Sequence, residues 1–190
     1  ALLNVLSGVT STRDMGKDDA VLDKLVARIE AGEVAGPRIV RSGFIEGKSP
    51  FSSMTGTLVA SQDEAMDAVR KYAARGFWQA KLYNSMNPEW SAPVTAEAHR
   101  LGLRVAGHVP AFSTADAMIA AGFDEITHVN QLMLGWVLNP GEDTRTLFRF
   151  TAMRRFPSLD VKSAKVQATL DAMVKNKVAH EPTIGIHELG

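Results

Sequence analysis

The chain has 190 residues, 45% of them hydrophobic, enough to bury a sizeable core within one globular domain. Its 21 basic and 21 acidic side chains cancel, and no long block of like charge runs along it, which argues against nucleic acid and membrane partners. With no cysteine, thiol nucleophiles, thiolate metal sites and disulfides are excluded, while the cellular compartment stays open.

The opening ALLNVLSGVT is apolar, but it is too short and too interrupted to span a bilayer and lacks the basic flank of a targeting signal. A start without Met and an end at HELG lead us to expect an internal fragment or a processed product. Within this stretch begins a repeating unit: a helical segment, a glycine, then a short β-rich run. NVLSG ending at Gly8 is followed by VTSTRD. IEAGEVAG ending at Gly36 is followed by PRIVRSG, with a longer entry. Glycine after a helix supplies the left-handed conformation that ends it without a Cβ penalty, and the apolar residues beyond it start a strand.

After a strand expected to end near Gly43, GFIEGKSPFSSMTGT reads as a flexible loop above the strand ends. It lacks the spacing of a phosphate-binding loop. Ser61 with Glu64 is a capping-box signature, and Ala65, Val69, Tyr72 and Ala73 form an apolar stripe from there to Gly76. The unit then recurs as YAARG and FWQAKLY, as AHRLG and LRVAGHV, and as MIAAG and FDEITHV. Helices are expected from Pro88 to Leu101 and from about Thr114 to Ala121. Asn130 to Asp160 is the least regular stretch, expected to be a long loop over the strand ends with one short helix. Val166, Leu170, Met173 and Val174 then repeat at helical spacing, and Asn176 stands where the other units have glycine before VAHEPTI.

Strands alternating with helices predict a parallel sheet, because parallel neighbours need crossover connections. About six strands fit either a doubly wound open sheet or a (β/α)8 barrel, and a complete barrel is typically about 250 residues long. The expected fold class is α/β, an incomplete TIM-type barrel, with residues 1–190 forming a single partial domain of a larger protein.

Three otherwise apolar strands end in polar residues: Lys81, His108 and His128. They lie five, six and six residues beyond Gly76, Gly102 and Gly122, at the carboxyl edge where parallel α/β folds place their active sites. A single strand-end histidine is more often structural than a ligand, and a strand lysine often only pairs with an acid. Three in one repeat frame point instead to a shared site, and neutral imidazole is a common ligand for zinc and other divalent metals.

GVTSTRDMG, QAKLYNSMNPEW, GLRVAGHVPAF and DEITHVNQLML resemble strands two, four, five and six of the amidohydrolase superfamily. The branch resembled contains imidazolonepropionase-like enzymes and metal-dependent dipeptidases that cleave Xaa-Pro or Xaa-Arg. The resemblance implies a hydrolase in which Lys81, carboxylated by CO2, bridges two divalent ions, expected to be zinc, and His108 and His128 bind the second ion. It also implies a strand-one HxH pair and a strand-eight aspartate, ligand and general base, and neither is present in this sequence.

Tyr83 shares the strand face of Lys81 and is a candidate substrate contact, with a structural hydroxyl as the alternative. Arg13 and Asp14 end their strand as a rim ion pair or, for Arg13, as a contact to an anionic substrate. His99 is expected on a helix surface, and His180 and His187 in structural roles. The expected activity is metal-assisted hydrolysis of C–N bonds in small, dipeptide-like substrates. The alternatives are a catalytically incomplete, self-associating partial barrel, which favours a homo-oligomer, and a hydrolase of the same fold acting on lactones, esters or carbamates.

Overall fold

The computed structural model describes residues 1–16 and 19–185. Helix α1 (Leu2–Leu6) leads into β1 (Ser11–Asp14), followed by α2 (Asp19–Glu30) and the long strand β2 (Arg38–Gly47). A short β3 (Thr57–Val59) precedes α3 (Gln62–Ala74) and β4 (Gln79–Leu82). A 3-10 turn over Pro88–Trp90 opens α4 (Ser91–Arg100), and β5 (Arg104–Gly107), α5 (Ala115–Ala120), β6 (Glu125–Thr127) and α6 (Val129–Val137) come next. An insertion carrying α7 (Phe148–Thr151) and a 3-10 segment (Ala152–Ser158) leads to α8 (Ala164–Asn176) and β7 (Ala179–Glu181).

Every strand pair is parallel, in the order β1-β2-β4-β5-β6-β7, with β3 beside the second half of β2. The sheet curls as an incomplete (β/α)8 barrel does. Arg13 on β1 and Glu125 on β6, four steps apart along the sheet, meet in a two-pronged ion pair at 2.6 and 2.7 Å. Only a concave sheet brings such side chains together.

The helices form for the reasons their sequences give. Ser61 caps α3 by accepting from Glu64 N, and the Glu64 carboxylate accepts from Ala60 N, one residue before the position a standard capping box uses. Thr114 caps α5 by accepting from Ala117 N. Gly76, Gly102 and Gly122 end α3, α4 and α5 with φ of 72°, 78° and 91°. At the end of α8 it is Lys177, not Asn176, that adopts the left-handed conformation, at φ 57°.

The apolar core lies between the outer sheet face and the helices. Ile45, Ala80, Leu82, Val105 and Ile126 from the strands pack with Ala65, Val69 and Tyr72 of α3, Val94 and Ala98 of α4 and Met118 of α5. Between β4 and β5 the packing leaves no room for a Cβ at Gly107, which has φ 146° and would place that atom 2.0 Å from Leu82 O. The inner sheet face is polar by contrast: Ser42, Glu46, Gln79, Lys81, Glu125 and Thr127 are all buried there.

Three local expectations are corrected. β2 continues to Gly47, because Phe44, Ile45 and Glu46 are held by β4 on one edge and β3 on the other. The irregular stretch is more helical than expected, with α6 running from Val129. On α8, Val166 and Met173 are buried, but Leu170 is 38% and Val174 80% exposed, so its buried face is completed by Thr169 instead.

No helix among the described residues is long and apolar enough to cross a membrane.

Candidate metal and substrate site

The carboxyl ends of β4, β5, β6 and β7 surround one cavity of about 680 Å³, lined by Tyr83, His108, His128, Glu181 and, from α7, Arg149 and Phe150. Strand alternation explains the gathering. Lys81 pairs in register with Phe44 of β2 and Ala106 of β5, and two residues further along, Tyr83 and His108 occupy the next inward positions. The Tyr83 and His108 rings lie 3.9 Å apart between centroids, and those of His108 and His128 are 4.7 Å apart and perpendicular.

His108 is 4% exposed. Its Nδ1 bonds Asn84 Oδ1 at 2.6 Å, while Asn84 Nδ2 donates to Thr144 O at 3.3 Å. An amide oxygen only accepts, so Nδ1 carries the proton and Nε2 carries the lone pair. Nε2 is buried and has no hydrogen-bond partner. Burial, reinforced by the nearby His128 and Lys81, pushes the imidazole well below its ordinary range. A neutral, oriented histidine with an unmatched buried lone pair has the form of a metal ligand, and the Asn84 contact is the outer hydrogen bond such ligands use.

His128 follows β6 at φ 68°, a conformation non-glycine residues seldom adopt. The chain is held there by His128 N donating to Glu181 O and Val129 N to Pro182 O, while the ring Nδ1 shares a hydrogen bond with Thr183 Oγ1. Strain of this kind costs on the order of 1–3 kcal/mol and is maintained by the surrounding contacts.

Lys81 is buried and donates from Nζ to Met15 O at 2.7 Å, with its charge 5.1 Å from the ring centroids of both Phe44 and Tyr83. Burial brings its amine down to about 8, and Arg13 pushes the same way against the opposing pull of Asp14, Glu181 and Glu46. Lys81 therefore reaches its neutral, nucleophilic form near physiological pH.

Tyr83 lines the cavity, whereas Arg13 is engaged inside the sheet by Glu125 and, at 3.3 Å, by Gln79 Oε1. His99 is on α4 and pairs with Asp124 at 2.9 Å. His180 Nδ1 donates to Ile126 O. His187 lies outside the described residues.

Sequence reading missed Asn84, Glu46 and Arg149. Glu46 is fully buried at the end of β2 and accepts from the backbone N–H groups of Ser85, Gly47 and Ser53. Burial raises its carboxyl above the usual range, with those three donors opposing. An acid inside the apolar run SGFIEG was the available signal for Glu46. Nothing in the sequence singles out Asn84. Among the described residues, no three His, Cys, Asp or Glu side chains converge on a metal-sized point, so a site here needs Lys81 or further ligands beside the two histidines.

No family model matches the sequence, and no curated protein matches it in sequence. Solved structures do match. A Xaa-Pro dipeptidase with methionine bound in its active site superposes with a TM-score of 0.65 at 21% identity, over 96% of this chain and 44% of its own. A bottromycin amidohydrolase gives 0.60 at 23% identity, over 80% and 33% of the two chains. A prolidase complexed with N-methylphosphonate-L-proline gives 0.56 at 20% identity, over 93% and 54%. The chain thus spans about half or less of the length of the structures it matches. At the level of fold, the expectation drawn from the sequence is met: the chain is a partial (β/α) barrel of the kind these structures contain.

Proposed function

We propose that this chain is the metal-binding portion of a hydrolase that cleaves C–N bonds in small, peptide-like substrates. The observation that carries this reading is His108, whose buried Nε2 lone pair has no partner and whose residue lines the same cavity as the perpendicular ring of His128. The prolidases and amidohydrolases of the same fold support the substrate class.

His108 and His128 would hold a divalent ion, with zinc the best match to two imidazoles. Lys81 would join them as its carbamate: the neutral amine adds to CO2 and releases a proton, giving an anionic group with two donor oxygens. Its lowered pKa and its burial favour that step. When bound, the metal supplies Lewis-acid polarisation of a carbonyl and acidifies a water to near neutrality. The chain's own residues do the rest. Asn84 fixes the His108 tautomer, Tyr83 offers a hydroxyl and ring to the substrate, and α7 of the insertion contributes Arg149 and Phe150 to the cavity wall.

The test is metal content together with carbon-13 NMR of the protein prepared with zinc and labelled bicarbonate. The expected result is bound zinc that His108→Ala releases, and a carbamate resonance that Lys81→Arg removes. Zinc retained equally by His108→Ala overturns the assignment of the site, and the absence of the resonance in the wild type overturns the lysine carbamate. A second reading, a partial barrel that binds metal without turnover, is favoured by the absence of a third histidine or carboxylate ligand among the described residues. Release of free amino acids from dipeptides by the zinc-loaded protein separates the two.

A further inference from the structure

A second cavity, of about 440 Å³, opens between the turn after β5, helix α6 and the start of the insertion. Gln131, in the first turn of α6, is the one described residue that lines both this cavity and the strand-end cavity. It is 3% exposed, and its side-chain amide makes no hydrogen bond to any described residue. A buried amide left unpaired is costly, and a ligand with matching groups relieves that cost.

The rest of the wall is apolar, from Val109, Leu134, Leu138 and Pro140, with the Phe112 ring beside them. Phe112 is 59% exposed and sits at φ 65°, and the Arg145 guanidinium lies 5.1 Å from its ring centroid. Strain of that kind in a non-glycine residue clusters at ligand clamps and functional sites. The two charged residues on the wall are already engaged. Glu142 binds Arg155 through both carboxylate oxygens at 2.6 and 2.7 Å, and Lys165, exposed at the rim, donates to Gly135 O and Trp136 O near the carbonyl end of α6. A buried ion would find no counter-charge there, so the wall favours a neutral occupant.

We infer that this second cavity is a binding site for a neutral molecule that carries a flat apolar group and an amide, and that filling it strengthens metal binding at His108. A primary amide pairs reciprocally with the Gln131 amide, each donating one N–H to the other's oxygen. The flat group lies against Phe112 and the apolar wall. The link to the metal site runs through Thr144, which lines the cavity and whose carbonyl accepts from Asn84 Nδ2, while Asn84 Oδ1 holds the proton of His108 Nδ1. A ligand packed against Thr144 restricts that carbonyl and so holds the acceptor that orients His108. Binding in this cavity is independent of the metal site proposed above, whereas the strengthening rests on it.

The test measures binding of benzamide, ethylbenzene, benzoate and benzylammonium to the metal-free protein by ligand-observed NMR, and zinc affinity by chelator competition with and without benzamide. Phe112→Gly removes an exposed ring and relieves the left-handed backbone, so the variant folds, and Gln131→Leu removes only the amide. In the wild type, benzamide is expected to bind about 10-fold more tightly than either ion and about 3- to 10-fold more tightly than ethylbenzene. Gln131→Leu then removes the advantage over ethylbenzene, and Phe112→Gly weakens both by about 5- to 10-fold. Benzamide raises zinc affinity about 5-fold in the wild type and not in Phe112→Gly. No binding of benzamide, tighter binding of an ion, or benzamide binding that neither variant weakens overturns the inference. Binding that depends on both residues but leaves zinc affinity unchanged upholds the site and overturns the strengthening. A protein that binds benzamide in this way and takes up no zinc overturns the metal site proposed above and the strengthening with it, and upholds the second site.

Discussion

The two faces of the sheet are built on opposite principles. The outer face is an apolar interlayer in which Ile45, Leu82, Val105 and Ile126 are sealed by helices, and its contacts are non-directional. The inner face buries Glu46, Gln79, Lys81, Glu125 and His108, and each is kept there by a specific partner: backbone N–H groups for Glu46, Arg13 and Ser42 for Gln79 Oε1, Arg13 for Glu125, Met15 O for Lys81 and Asn84 for His108. One face supplies stability, while the other spends some of it to hold titratable groups in fixed orientations. Among the described residues, Gln79 Nε2, Thr127 Oγ1 and His108 Nε2 are unsatisfied on the polar side, while Ser91 Oγ and Thr95 Oγ1 are unsatisfied on α4.

The sharpest way to break this contrast is to remove one large group from each face. Leu82→Ala on the outer face is expected to cost about 3–5 kcal/mol, as a cavity in a closely packed layer does. Arg13→Ala on the inner face is expected to cost a similar 3–5 kcal/mol or so, because it strands the Glu125 carboxylate, which is only 11% exposed. The two differ in how they are repaired. Adding Glu125→Leu to Arg13→Met should recover most of the loss, whereas no polar substitution repairs Leu82. Denaturant unfolding of the four variants measures this. A double variant as unstable as Arg13→Ala would show that the ion pair holds the barrel's curvature by more than charge compensation.

Lys81 carries the next largest effect, and its sign is opposite to that of a salt-bridged lysine. Burial sets its pKa at about 8 in the folded protein, against about 10.4 in an unfolded chain. Between these values the unfolded state binds more protons, so stability rises with pH across that window, by about 3 kcal/mol in all, and the full penalty is present below pH 8. His108 acts in the same direction at lower pH: stability falls as pH drops below about 6.5, where the unfolded imidazole takes up a proton that the buried one resists. Lys81→Met should flatten the alkaline limb of the profile. An unchanged slope in that variant would place the titrating group elsewhere.

Much of this division was legible in the sequence, for identifiable reasons. Glycines after helices marked the units because Gly76, Gly102 and Gly122 do adopt left-handed φ, and counting from them aligned Lys81, His108 and His128 at one height. The same rule failed where context overrode it. Gly43 looked like a stop, yet it lies mid-strand, where a Cβ would meet the Tyr72 ring at 2.2 Å. Helical spacing on α8 was read as a buried stripe, but Leu170 and Val174 face outward, since periodicity shows which residues share a face and not what covers it. Asn84 and Arg149 were invisible because their importance depends on neighbours distant in the chain, His108, 24 residues away, for one and the strand ends around the cavity for the other.

Asn84 tests whether the inner face depends on orientation as much as on ligand identity. Asn84→Ala leaves both histidines in place but removes the acceptor that keeps the proton on His108 Nδ1. Zinc affinity is expected to fall about 10- to 100-fold, as it does when the outer hydrogen bond of a ligating histidine is lost. Competition with a chelator reads the change. Asn84→Asp, which restores an acceptor and adds charge, should recover affinity, and failure to do so would separate the Asn84 link to Thr144 O from the tautomer effect.

The smallest effect is also the most diagnostic, because it sets the two demands against each other at one residue. His128 pays a conformational cost at φ 68° that glycine does not. If the site is the reason the strain persists, His128→Gly should weaken zinc binding and yet leave the protein as stable as before, or more stable by about 1 kcal/mol. The lost Thr183 contact is the term that opposes this gain. Thermal melting of the metal-free protein beside zinc titration decides between them. Loss of both stability and metal would mean that the imidazole serves chiefly to tie β6 to the segment after β7, in which case the polar face at this point is structural.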